Sequence, residues 1–246
     1  MGIRIAAAQA PSVAGDIAAN LVIHLRFITA ARAEGVQLLL FPELSLCGYE
    51  LPLLGQCALS PHDTRLAALR EAADGMTVIV GAPLIEAGAD KPGIATITLR
   101  PDGSTTVYRK QYLHAGEEVY VQAGDKGATA HLLHGQHYVE AICADTTHAA
   151  HAQAAAQAGA SLYVAGVLIS EGGYAADEAL LRGHAETHNM GVLMANHAAP
   201  SGGYACAGKS AFWAPGGELL ARAPGPGDYL VIAEENGGWQ GRVVAL

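Results

Sequence analysis

This sequence carries little charge. Only 15% of its 246 residues are Asp, Glu, Lys or Arg, and lysine occurs just four times, at Lys91, Lys110, Lys126 and Lys209. The 14 basic residues stand against 23 acidic ones, for a formal net charge of -9. No basic run interrupts that balance, so the field around the chain repels phosphate backbones and nucleic acid is not an expected partner. Long apolar runs are also missing: no stretch approaches the roughly 18 consecutive apolar residues of a membrane span. The opening Met-Gly-Ile-Arg-Ile passes straight into strand-like alternation, with no charged-then-apolar leader. These absences predict a cytoplasmic protein without a membrane partner. Cysteine is scarce and unevenly placed, at Cys47, Cys57, Cys143 and Cys206, which argues against a disulfide framework or a Cys-x-x-Cys metal site. A cysteine that matters here should matter as a thiol.

What is present is apolar material, 51% of the chain, arranged as short runs alternating with helical patterns. That alternation predicts an α/β layered protein. The first run is Ile3 to Gln9. Asp16 then reads as an N-cap, followed by Ile17, Leu21, His24, Leu25 and Ile28 at helical spacing up to Gly35. Further strands are expected over 36–41, 77–81, 94–99 and 105–108, the last two joined by the turn Arg100-Pro101-Asp102-Gly103 as a hairpin, and a helix over 61–73. The second half repeats the grammar, with strands over 128–133, 137–142, 162–167, 192–196, 210–214 and 229–233, and helices over 147–158 and 177–189. Glycine and proline cluster in 200–208 and 215–227, where loops are expected. Two similar halves suggest two stacked sheets, and the lack of a linker-like stretch suggests one domain over 1–246.

Three segments offer chemistry. Leu38-Leu39-Leu40-Phe41-Pro42-Glu43 is an apolar strand that delivers a carboxylate at its C-terminal end, the edge where α/β sheets bind ligands. Desolvation there would raise the carboxyl pKa and suit it to proton transfer near neutrality, although a glutamate starting a loop is more often simply solvated. Val107 to His114 closes the hairpin and places Lys110 at a strand end, with Glu117 and Glu118 close behind. An exposed edge cation is the commoner fate of such a lysine. Val139-Glu140-Ala141-Ile142-Cys143-Ala144-Asp145 brings a cysteine to a strand-to-helix junction, where a helix N-terminus would lower the thiol pKa. Most free cysteines are small core residues.

Taken in order, these segments resemble the carbon-nitrogen hydrolase family, the nitrilase superfamily. FPELSLCGY at 41–49 is similar to its glutamate motif, YRKQYLH at 108–114 to its lysine motif, and AICAD at 141–145 to its cysteine motif. Asn189, Asn196 and the segment from Gly208-Lys209-Ser210 to Pro215-Gly216-Gly217 extend the likeness along nearly the whole chain. The resemblance implies an αββα sandwich: two stacked mixed β-sheets flanked by helices. It implies a thiol-dependent amidase with no metal or organic cofactor, in which Cys143 is the nucleophile, Glu43 the general base and acid, and Lys110 an oxyanion stabiliser. The amide of Ala144 would be the second oxyanion donor. A second glutamate is expected seven residues before a glycine, which from Gly124 selects Glu117, with Glu118 the alternative. Tyr49, Tyr120 and His148 are candidate substrate-binding residues. A small-molecule amide substrate and a homodimer or higher homo-oligomer are implied as well. The run after the cysteine, Ala144 to His148, lacks the arginine with which some members grip a carboxylate, and His188 stands where a glutamate is common.

Nitrile and carbamoyl substrates fit the same triad. A P-loop pattern spans Gly203 to Ser210, but Ala211-Phe212-Trp213-Ala214-Pro215-Gly216-Gly217 offers a short strand and a turn where that motif needs a helix. His184 and His188 have one-turn zinc spacing, yet Glu186 is not where a metalloprotease motif requires it. A non-catalytic binding subunit of the same fold is the remaining alternative, disfavoured by the intact Glu43, Lys110 and Cys143.

Overall fold

The structure, a computed structural model, describes residues 2–246. In chain order its strands are β1 (Ile3–Gln9), β2 (Leu38–Leu40), β3 (Thr77–Leu84), β4 (Gly93–Leu99), β5 (Thr105–Arg109), β6 (His131–Leu133), β7 (Gln136–Ile142), β8 (Leu162–Gly166), β9 (Gly191–Ala195), β10 (Ala211–Trp213), β11 (Leu219–Arg222), β12 (Tyr229–Glu235) and β13 (Trp239–Ala245). The helices are α1 (Ile17–Ala33), α2 (Leu54–Cys57), α3 (Ala67–Ala72), α4 (Ala149–Gln157) and α5 (Tyr174–His188).

Alternation within strands sets the layers. In β1, Ile3, Ile5 and Ala7 enter one apolar cluster while Ala6 and Ala8 enter another. Successive strand side chains leave on opposite faces, so a strand with both sets buried lies between two covering layers. β2 divides likewise, Leu38 and Leu40 to one side and Leu39 to the other; in β8, Leu162 and Val164 oppose Tyr163 and Ala165. The residues shared between the two sheets form the central cluster. Phe27, Ile28 and Ala31 of α1 with Leu69 of α3 cover the outside of one sheet, and Ala152, Ala155, Leu181 and Ala185 of α4 and α5 cover the other. The seven-stranded sheet runs β13-β12-β1-β2-β3-β4-β5 and the six-stranded sheet β11-β10-β9-β8-β7-β6. Both are mixed: β1, β2 and β3 pair in parallel, as do β7, β8 and β9, and the outer pairings are antiparallel. This is the αββα sandwich that the resemblance implies.

Several elements depart from expectation. Two strands fall where none was expected: β11 lies inside the glycine- and proline-rich 215–227 stretch, and β13 forms the edge of its sheet. Their exposure explains why they lack a pattern, since Ala221 is the one buried residue of β11 and β13 has none. The helix expected over 61–73 is a 3-10 turn at Thr64–Leu66 leading into the short α3. The strand expected over 128–133 shrinks to β6, and α5 begins three residues earlier than Asp177. The junction after Cys143 is a 3-10 turn, Cys143–Thr147, before α4 begins. Gly203 to Ser210 contains no helix and runs into β10, so the P-loop geometry is absent. Asp16 caps α1 as expected, its Oδ1 accepting from the Ala19 amide at 2.9 Å. Among the described residues no helix is long and apolar enough to cross a membrane.

Candidate active site

Glu43 follows the end of β2 on a tight turn pressed against two glycines. A Cβ on Gly81 would sit 2.4 Å from both the Leu44 nitrogen and the Pro42 oxygen, and one on Gly166 would sit 2.7 Å from the Phe41 oxygen. Only a bare α-carbon lets β3 and β8 approach the turn this closely. Buried polar side chains fix it further. His197 Nε2 donates to the Glu43 carbonyl at 2.7 Å. His24 stacks on Phe41 with centroids 4.1 Å apart, and its Nδ1–H donates to the Asn20 carbonyl at 2.7 Å, leaving Nε2 to accept from the Ser45 hydroxyl at 2.9 Å. Burial pushes both imidazoles down to about 4, so they serve as neutral hydrogen-bonding groups near pH 7.

Lys110 emerges at the end of β5 and is completely buried. Its Nζ donates to Glu43 Oε1 and to Glu117 Oε1, each at 2.7 Å. Glu117 opens a 3-10 turn that Gly116 enters with φ of 94°. The same Oε1 accepts from the Tyr49 hydroxyl at 2.5 Å, while Oε2 accepts from the His114 amide at 2.8 Å. Glu118 faces solvent, so the buried second carboxylate is Glu117.

Cys143 sits at the end of β7 with φ of 43°, a left-handed bend that is unusual for a residue with a side chain. The bend is held by Asp145, whose Oδ2 accepts from the Ile142 amide at 3.0 Å and from the Tyr108 hydroxyl at 2.7 Å. Its Oδ1 accepts from the amides of Gln111 and Tyr112, both at 3.0 Å. One carboxylate therefore stitches the lysine segment to the cysteine segment. The thiol is partly accessible, and its Sγ lies 3.7 Å from the Leu168 carbonyl oxygen.

The electrostatics differ from the expectation for the thiol. Burial raises the Cys143 pKa, Glu43 adds to that effect and Lys110 only partly opposes it, so the thiol holds its proton more tightly than a free cysteine. The turn that follows is too short to supply the expected helix field, and desolvation beside a carboxylate wins. Burial likewise raises Glu43, with Lys110 opposing and Glu117 adding. For Lys110, burial alone would favour the neutral amine, but the flanking carboxylates of Glu43 and Glu117 outweigh it and keep the ammonium charged. Glu43 Oε2 is buried without a hydrogen-bond partner. The cluster thus holds an unused proton acceptor, a fixed ammonium and a protonated thiol, which is a set suited to general-base attack by sulfur.

A cavity of about 280 Å³ opens over Cys143. Tyr49 and Ala144 line it, together with His114, Thr146, Val167 to Ser170, Asp177 and Tyr204. Two sequence candidates lie outside this lining. Tyr120 is 38% exposed and closes the Glu117 turn through its amide. His148 stacks on Tyr112 with centroids 3.9 Å apart and bonds the Ala144 carbonyl through Nδ1 at 2.8 Å, so its ring is engaged at the helix start. His184 bonds the Thr146 carbonyl at 2.7 Å. Asp145 was legible only as a neighbour of the cysteine. The wall from 167 to 170 and Tyr204 come from distant loops and Asp177 from the start of α5, and no local motif marks them.

A carbon-nitrogen hydrolase family model matches residues 4–236. No curated protein matches the chain. Among solved structures, a variant of the amidase from Nesterenkonia sp. AN1, with acrylamide joined to its active-site cysteine by Michael addition, superposes with a TM-score of 0.86. It is 25% identical, over 96% of this chain and 94% of that one. A variant of that amidase in complex with butyramide superposes with a TM-score of 0.85 at 25% identity, over 95% and 90% of the two chains. A further variant, described as belonging to the nitrilase superfamily, gives 0.85 at 25% identity over 96% and 92%.

Proposed function

The chain belongs to the carbon-nitrogen hydrolase family and is a hydrolase of C–N bonds, and from that premise we propose that it cleaves a small linear amide through a thioester on Cys143. In this reading Glu43 takes the thiol proton as sulfur attacks the amide carbon, forming the S–C bond. Negative charge collects on the former carbonyl oxygen, where the Lys110 ammonium and the Ala144 amide stabilise it. Glu43 then returns its proton to the amine nitrogen, the C–N bond breaks, and ammonia leaves. Water, deprotonated by Glu43, attacks the thioester; the S–C bond breaks, the thiolate recovers its proton, and a carboxylic acid departs.

The observation that carries this reading is the free Glu43 Oε2, a buried acceptor in the carboxylate whose other oxygen is held by Lys110. Further support comes from the raised thiol pKa, which favours proton transfer during attack over a standing thiolate. The substrate is small because the cavity, about 280 Å³, lies just below the usual range of ligand pockets. Ammonia release across a panel of short aliphatic amides tests the reaction. Glu43→Gln is expected to lower kcat by about 10² to 10⁴, the worth of a positioned general base; turnover within twofold of wild type would remove Glu43 from the mechanism.

A further inference from the structure

The cavity over Cys143 has a chemical polarity that the hydrolysis does not use. Val167, Leu168 and Ile169 line it together with Tyr49 and Tyr204. No lysine or arginine lines it. Lys110 belongs to the catalytic cluster, fully buried between Glu43 and Glu117. The one acidic side chain that lines the cavity is Asp177, in the first turn of α5. Asp177 is half-buried, and burial and a through-space effect of His114 are what act on its carboxylate, with no hydrogen bond among them.

Burial raises the Asp177 pKa, the start of α5 favours its charge, and no cationic side chain of the lining pairs with it. His114 is the other titratable side chain of the lining besides Cys143 and the two tyrosines, and it acts on Asp177 only through space, opposing the effect of burial. We infer that Asp177 is a specificity residue that receives a protonated amine at the far end of the substrate, so that the preferred amides are linear and carry an amino group. The amide end lies at Cys143, a short methylene chain runs along Val167 to Ile169, and the ammonium reaches Asp177. An anionic tail is disfavoured by the same carboxylate and meets no fixed cation. This inference rests on the amidase reading of Cys143 and names its substrate class.

The test compares kcat/KM for linear amides of four to six carbons whose far end is a methyl group, a primary amine or a carboxylate. Wild type is expected to prefer the amine-ended compounds over the carboxylate-ended ones by about tenfold or more, the worth of one charge-assisted hydrogen bond. In Asp177→Asn the ratio of amine-ended to methyl-ended turnover is expected to fall by about tenfold, since the amide side chain keeps the shape and loses the charge. Asp177→Lys should reverse the order in favour of the carboxylate-ended series. A different role for Asp177, as a favourable charge at the start of α5, predicts a lower melting temperature and equal losses on all three series. An unchanged ratio in Asp177→Asn therefore overturns the inference. Methyl-ended amides that acylate Cys143 without any wild-type preference for the amine would sink the inference alone; no acylation by any series would sink the amidase reading with it.

Discussion

Replacing Lys110 with methionine removes the cation from a cluster that has no other. The side chains of Lys110, Glu43 and Glu117 are fully buried, and both ion-pair contacts are 2.7 Å. Breaking a buried pair by deleting one partner costs about 3–5 kcal/mol, because the charge left behind is uncompensated. Here one lysine serves two carboxylates, which places the expected loss at the upper part of that range. Methionine is apolar and of similar length, so little of the loss comes from an empty volume. The cost must also depend on pH. Without the ammonium, at least one of the two carboxyls takes up a proton in the folded state, and its folded pKa rises above its unfolded value. Stability from such a group is fully present below the ordinary carboxylate value near 4.5 and is lost as pH rises through the raised one. The deficit of Lys110→Met against wild type is therefore smallest in mild acid and largest near neutrality. Urea unfolding of wild type, Lys110→Met, Glu117→Gln and the double variant, at about pH 5 and pH 8, measures both effects. The double variant should be more stable than Lys110→Met alone at the higher pH, since it removes one of the stranded charges. A Lys110→Met protein within about 1 kcal/mol of wild type at both pH values would refute the burial of this cluster, because even a modest exposed pair lies in that range.

Three further outcomes follow from the same geometry. Gly166→Ala would press a methyl group to within 2.7 Å of the Phe41 oxygen; overpacking of this kind costs about 1–3 kcal/mol, and displacement of Glu43 should lower kcat by about 10², so an unchanged kcat would show that the turn is not held by this contact. The acid limb of kcat/KM should have its midpoint above the ordinary carboxylate value of 4.5, since Glu43 must be ionised to accept the thiol proton and burial raises it; a midpoint at or below that value argues against Glu43 as base. Glu140, buried between the sheets, accepts from the hydroxyls of Thr96 and Thr98, and burial raises its pKa. The melting temperature of Glu140→Gln relative to wild type should therefore increase as pH rises from about 4.5 towards 8, and a difference that stays flat would show that Glu140 does not ionise at a cost.

Glu43, Lys110 and Cys143 stood out as candidates because each follows a strand, β2, β5 or β7, and the apolar runs before Glu43 and Cys143 stop at a charged or nucleophilic residue. Burial of both faces of the sheets made the central strands readable as continuous apolar runs. β13 escaped notice for the opposite reason: it pairs with β12 on one side and exposes most of its length, so Gly237 to Arg242 shows no alternation. The thiol was misjudged because position at a strand-to-helix junction suggests a helix field, whereas the nearest neighbours, Glu43 and the surrounding burial, act more strongly. The supports of the Glu43 turn, His24, Ser45 and His197, lie 19 and 154 residues away or beside it, and only the fold brings them together. Asp177 reaches the cavity over Cys143 in the same way, from a helix whose sequence reads as an ordinary amphipathic segment.

The most direct measurement is the intact mass of the enzyme during turnover of a short aliphatic amide, followed by digestion to locate the added group. The expected result is a gain equal to the acyl group, mapped to Cys143, with neither adduct nor ammonia release from Cys143→Ala. Ammonia release by Cys143→Ala at the wild-type rate, or an acyl group carried on another residue, would contradict the thioester mechanism.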